Sequence, residues 1–136
     1  MKRVDYFKLL ADIFHFKTVF DEKGNEFVFF SQSGNIQIKN VNDRTELEAL
    51  ENHIHLLDGI KKYEFGELLL VAEKLGEALL NALKFKYPNK IFVVFVTVDL
   101  YDSFIIRFHQ KWSKEEPYYN PADFTLPNSK VFMFEG

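Results

Sequence analysis

The chain has 136 residues, a formal net charge of −3 and no cysteine. This length is typical of one domain with its own apolar core, so we expect a single domain over residues 1 to 136. Without cysteine the chain has no disulfides, no thiolate zinc sites and no thiol nucleophile. The slightly negative charge disfavours nucleic acid as a partner and favours basic over acidic partners.

Hydropathy gives no sign of a membrane or secretory segment. No run of the sequence reaches the roughly 18 apolar residues of a membrane span. Near the N-terminus, Asp5, Lys8 and Asp12 interrupt the apolar core that a signal sequence would need. The sequence therefore predicts a cytoplasmic protein that has no contact with a membrane.

The first predicted elements are a helix and three strands. Apolar residues recur at helical spacing over residues 4 to 14, which predicts a short amphipathic helix. Two strands then flank a loop over residues 21 to 26. A third strand is predicted over 36 to 40, where Ile36 and Ile38 alternate with polar residues. Together these strands would form a three-stranded meander.

The second half of the chain is predicted to hold two helices and then two or three strands. Thr45 and Glu48 fit a capping box, and apolar spacing continues to Leu57, which predicts a helix over 45 to 57. A longer helix is predicted over 64 to 86.

Residues 91 to 98 are almost wholly apolar, as in a strand covered on both faces. A second strand should follow over 104 to 110, and a short last strand over 130 to 135. The fold class is then α+β, a mostly antiparallel sheet of about five strands packed against two or three helices. The predicted order is α-β-β-β-α-α-β-β-(β).

Two groups of residues could carry chemistry. His53 and His55 would point away from each other on the predicted helix, so they should not share a metal ion. No phosphate loop, nucleophile elbow or zinc-protease motif occurs in the sequence. Because no such motif supports an enzyme, an enzyme or small-ligand protein using His109 and Arg107 with a nearby carboxylate is kept only as the alternative hypothesis. No cofactor is predicted.

Arg107 is one of three arginines in a chain with fourteen lysines, and it lies within a predicted strand. Strand alternation places Arg107 and His109 on the same face. That face is either solvated, or it is a binding edge that Trp112, Tyr118 and Tyr119 extend, because Arg, Trp and Tyr are the residues that anchor interfaces.

Two other charge patterns favour different partners. The basic residues from 107 to 114 alternate with aromatic rings, as in proteins that bind single-stranded nucleic acid, but Glu115 and Glu116 would repel the phosphates. Conversely, acidic residues on the second and third helices could steer a basic partner. A homodimer is a further alternative, since the apolar strand over 91 to 98 needs cover.

The segments NHIHLLD, LKFKYPNKIFVVFV, IIRFHQKW and EEPYY occur in this order between residues 45 and 119. In this order the chain resembles small bacterial proteins of the immunity type, encoded beside polymorphic or contact-dependent toxins. The resemblance implies a non-catalytic cytoplasmic domain that binds the active domain of a toxin and blocks it. The residues predicted to contact such a protein partner are Asn52, His53, Arg107, His109, Trp112, Glu116, Tyr118 and Tyr119.

Overall fold

The computed structural model describes residues 2 to 36, 38 and 42 to 136. Its three α-helices are α1 (Arg3–Asp12), α2 (Arg44–Glu51) and α3 (Phe65–Lys86). Its strands are β1 (Phe16–Phe20), β2 (Glu26–Phe30), β3 (His53–Asp58), β4 (Phe92–Asp99), β5 (Ser103–Gln110) and β6 (Ser129–Glu135). Helices and antiparallel strands together confirm the predicted α+β class.

The strands form two antiparallel sheets. β1 and β2 pair as a hairpin, and the other four strands form one sheet in the order β3-β5-β4-β6. β4 lies inside this sheet, and all of its residues before Asp99 are buried. The prediction of a strand covered on both faces is therefore confirmed. Since the chain itself covers β4, this strand gives no reason to require a second copy.

Helix α3 covers one face of the four-stranded sheet. Its fully buried residues Ala72, Leu79 and Leu83 recur at helical spacing and pack into the core. Each buried leucine contributes about 2 kcal/mol through removal of apolar surface from water. Gly76 lets the helix approach closely, because a Cβ at this position would overlap the ring of Phe134. The predicted helix over 64 to 86 is confirmed.

Helix α1 is present near its predicted position but is packed less tightly than α3. None of its residues is buried, and Val4 and Phe7 are 54% and 63% exposed. Leu9 packs against the edge of the main core. Within the described residues, no helix is both long and apolar enough to cross a membrane.

The predicted helix over 45 to 57 is wrong in its second half. Helix α2 ends at Glu51, and β3 begins at His53 and pairs with β5. The cap is Asp43, whose side chain accepts a hydrogen bond from the Glu46 N–H, so the capping box at Thr45 is also wrong. The reason is that HIHLLD also alternates with period two, and pairing with β5 satisfies its backbone.

The element order differs from the prediction in consequence. A strand stands between α2 and α3, and the described residues hold six strands where about five were expected. The predicted third strand over 36 to 40 falls mainly on residues 37, 39 and 40, which lie outside the described residues, while Ile36 and Ile38 are in no strand.

Candidate functional site

Asn52 joins the two sheets through its side chain and its backbone. The Phe30 N–H donates to Asn52 Oδ1 at 3.0 Å, and Asn52 Nδ2 donates to the Val28 carbonyl at 2.8 Å. On the other side, the Phe108 N–H donates to the Asn52 carbonyl at 3.2 Å. Asn52 therefore holds β2 beside β5, and its full burial offers no surface to a partner.

Glu48 makes the second link between β2 and β5. We call the group of residues at this link the Glu48 junction (Glu48, Asn52, Gln110 and Trp112). Its carboxylate accepts four hydrogen bonds, from the Val28 N–H at 2.9 Å and from Gln110 N, Gln110 Nε2 and Trp112 Nε1 at 2.7 Å each. The side chain is fully buried, and no basic group pairs with it among the described residues.

The environment of Glu48 acts on its ionisation in two directions. Burial disfavours the charged form and raises its pKa to about 7. The four N–H donors oppose that rise, because each of them stabilises the carboxylate. Glu48 is thus a buried acid whose hydrogen-bonding capacity is used by the fold.

Trp112 belongs to the junction as well. Besides its bond to Glu48, its ring lies 5.3 Å from the Phe27 ring, and the Arg44 guanidinium lies 4.6 Å above it. The residue is half-buried. These contacts give Trp112 a structural role, and its predicted contact with a partner stays a prediction.

Arg107 and His109 share the face of the sheet opposite α3, as strand alternation predicted. Arg107 is only 9% exposed. Its Nη1 donates to the Ala49 carbonyl at the end of α2, and its guanidinium lies 4.9 Å and 5.5 Å from the rings of Tyr118 and Tyr119. We call Arg107, His109, His53, Tyr118 and Tyr119 the polar sheet face. The interpretation of this face as simply solvated is wrong.

His109 uses both ring nitrogens in the fold. Its Nδ1 lies 2.7 Å from the Gln110 carbonyl, and its Nε2 accepts the Tyr118 N–H at 3.1 Å, which assigns the proton to Nδ1. Burial lowers the pKa of His109, so the neutral ring is favoured. No described carboxylate lies within hydrogen-bond distance of His109, so nothing here favours the enzyme hypothesis.

His53 and His55 lie on β3 and not on a helix. Both are exposed on the same face, with ring centroids 5.5 Å apart, so the prediction that they diverge is wrong. His53 Nδ1 contacts the Leu50 carbonyl at 2.6 Å, and His55 Nδ1 lies 3.0 Å from Asp58. Within the described ranges, no group of three metal-ligating side chains surrounds them.

A cleft of about 420 Å³ opens between the start of α2 and the segment that follows β5. We call it the acidic cleft. Its lining includes four carboxylates and one lysine: Asp43, Glu46, Glu115, Glu116 and Lys114. Glu116 is exposed, so the cleft presents net negative charge to solvent.

One wall of the acidic cleft is fixed by Glu115. Arg44 Nε and the Thr45 N–H each donate to the Glu115 carboxylate at 2.7 Å. Burial acts to raise the pKa of Glu115, but these hydrogen bonds outweigh it and hold the pKa below its ordinary value. The ionised side chain therefore ties the segment after β5 to the first turn of α2.

Five of the eight predicted contact residues come together on the polar sheet face, and Glu116 lies at the neighbouring acidic cleft. Asn52 and Trp112 lie apart from them in the Glu48 junction. The sequence reasoning missed Glu48, Arg44 and Glu115. The sequence does contain a signal for Glu48, since Thr45, Glu48, Ala49 and Asn52 recur at helical spacing. This mainly polar row is the set of residues that α2 and its end bury.

Comparison with protein-family models, curated protein sequences and solved structures finds no match to this chain. The polar sheet face and the acidic cleft therefore have to be interpreted from their own chemistry.

Proposed function

We propose that this chain is a non-catalytic, cytoplasmic protein of the immunity type, which binds a toxin domain and blocks it. The binding surface consists of the acidic cleft and the adjoining rings of Tyr118 and Tyr119. Inhibition is steric and electrostatic, and it requires no turnover and no cofactor.

The acidic cleft is the observation that supports this proposal. Glu115 is paired with Arg44, and the other three carboxylates against one lysine still give a local negative field, which attracts a basic partner and speeds its association. Tyr118 and Tyr119 are half-buried beside the cleft, and tyrosine is a frequent anchor of protein interfaces. The Arg44–Glu115 ion pair holds the cleft in shape before a partner arrives, which lowers the entropic cost of binding.

Co-expression with the product of the adjacent gene tests the proposal. The wild-type chain is expected to restore growth to cells that make this product and to bind it in a pull-down. Glu116→Lys is expected to weaken the affinity by roughly tenfold or more, since it reverses an exposed charge at the binding surface. Absence of both binding and protection would overturn the toxin-inhibitor function.

The matched control is Glu77→Lys. Glu77 is exposed on α3, on the opposite side of the four-stranded sheet, and its substitution changes the net charge by the same amount. We expect it to leave affinity and protection unchanged. Equal losses with Glu77→Lys and Glu116→Lys would show that overall charge, and not the acidic cleft, governs binding.

A further inference from the structure

Arg107 is a buried cation without an anionic partner. Within the part of the chain that the structure describes, no carboxylate lies at ion-pair distance from it. Its one hydrogen bond runs from Nη1 to the Ala49 carbonyl, and its Nε is buried and has no partner. A buried donor left unpaired costs about 1–3 kcal/mol, so each such group needs a physical explanation.

The unused donors of Arg107 lie on one side of its guanidinium. Nη1 is committed to Ala49, while Nε and Nη2 donate to no described residue. Nε–H and Nη2–H point in the same direction, and they form the fork to which a carboxylate binds with two parallel hydrogen bonds. The hydrogen bond to Ala49 thus uses only Nη1, and the side of the guanidinium that suits a planar anion has no hydrogen-bond acceptor among the described residues.

The rings around Arg107 cover these donors without bonding to them. Tyr118 and Tyr119 contact the guanidinium through their π-systems, which uses no N–H group. The hydrogen bond from the Tyr118 N–H to His109 and the packing of Tyr119 on Phe95 hold these tyrosines on the sheet. A small displacement of the two rings would open the fork while the charge stays desolvated, and desolvation strengthens an ion pair.

The geometry points to Arg107 as a receptor for a carboxylate, either a free small acid or an acidic side chain of a bound protein. The carboxylate accepts from Nε and Nη2, while Nη1 stays on Ala49. This inference does not rest on the toxin-inhibitor function, because it concerns a different group of opposite charge on the polar sheet face.

NMR of the arginine side chains tests it on the intact chain. The sequence has three arginines, so the three Nε–H signals can be assigned with Arg3→Lys and Arg107→Lys variants. Arg3 is exposed and Arg44 is paired with Glu115, so both are internal controls. Sodium acetate is titrated against sodium chloride of equal ionic strength at about pH 6, where acetate is ionised.

We expect the Arg107 Nε–H signal to move downfield and saturate with acetate only, while the Arg3 and Arg44 signals follow the chloride titration. A blocked peptide with one aspartate distinguishes the two sources. Saturation at a tenfold lower concentration than acetate assigns the site to a protein side chain, and saturation at equal concentration assigns it to a free acid. An Arg107 signal that responds equally to acetate and chloride would overturn the inference.

A thermal measurement covers the case in which solvent exchange broadens the Arg107 signal. Acetate should raise the melting temperature of the wild-type chain above that in chloride, because a ligand bound to the folded state stabilises it. Arg107→Lys keeps the charge and removes the fork, so it should lose this acetate-dependent rise. A rise of the same size in both proteins would exclude Arg107 as the receptor.

Discussion

Glu48 and Arg107 are both buried ionisable groups with no counter-ion among the described residues, yet their surroundings differ. Glu48 accepts four hydrogen bonds from backbone and side-chain donors of β2, β5 and Trp112. Arg107 donates one hydrogen bond and leaves its Nε unpaired. The first charge is fully satisfied by the fold, whereas the second retains unused binding capacity.

This difference separates a structural role from a candidate functional role. A satisfied buried group stabilises one arrangement of the chain, and its removal leaves several partners without a bond. An unsatisfied buried group stabilises little, and it can be retained for a partner that is absent from the isolated chain. Removal of Glu48 should therefore affect stability far more than removal of Arg107.

Glu48→Ala is expected to have the largest effect. It leaves four buried or half-buried N–H donors without their acceptor, and we expect the free energy of unfolding to fall by about 3–5 kcal/mol. Urea denaturation at about pH 5 measures it, because most of the contribution of Glu48 is present well below its pKa of about 7. The exposed Glu51 on the same helix supplies the control, and Glu51→Ala should change stability by less than about 0.5 kcal/mol.

The pH dependence of stability should be the next largest effect. Burial raises the pKa of Glu48 to about 7, so the folded state favours the protonated acid. Its contribution is complete below the ordinary pKa of 4.5 and is lost as the pH rises through about 7. We expect the unfolding free energy to fall by about 3 kcal/mol over this range.

Glu48→Gln has no group that titrates at this position, so its stability should lack this decline. The comparison uses denaturation curves of both proteins at matched pH values. Parallel profiles for wild type and Glu48→Gln would mean that Glu48 keeps its ordinary pKa in the fold.

Asn52→Ala is expected to cost about 2 kcal/mol, because it leaves the buried Phe30 N–H and Val28 carbonyl without partners. Hydrogen exchange at Phe30 should speed up in the variant. Asn81 is exposed on α3, so Asn81→Ala should behave like the wild type. A stable Asn52→Ala variant with unchanged exchange would contradict the role of Asn52 as a link between the sheets.

Arg107→Met should have the smallest effect, a loss of about 1 kcal/mol or less. Methionine retains most of the apolar contact with the two tyrosine rings and removes a charge that no described carboxylate pairs with. Urea denaturation beside Glu48→Ala makes the comparison direct. Equal losses in the two variants would mean that Arg107 is as structural as Glu48, and the contrast between them would disappear.

The sequence predicted the elements whose burial follows a simple period. Helix α3 and strand β4 are long, and their apolar residues leave one interpretation each. The region around α2 was predicted less well, because Leu47, Leu50 and Ile54 suggest a helix while His53–Ile54–His55–Leu56 also alternates as a strand. In the fold Leu50 is 46% exposed, and the polar residues of α2 are buried in its place.

The shared face of Arg107 and His109 follows from strand alternation, which the sequence shows directly. Their burial does not, because it depends on the irregular segment after β5, which returns over the sheet with Tyr118 and Tyr119. That segment has no hydrophobic period, so sequence reasoning places its residues near the site without saying what they cover.

The contact between α2 and β2 also bears on how copies of this chain behave together. The segment EFVFF of β2 combines aromatic and β-branched residues, a composition that promotes strand association between molecules. Glu48 and Asn52 occupy the N–H groups of Val28 and Phe30 along its outer edge. Glu48 and Asn52 thus cover N–H groups that an exposed edge strand would offer to a strand of another molecule, which is the contact through which edge strands aggregate.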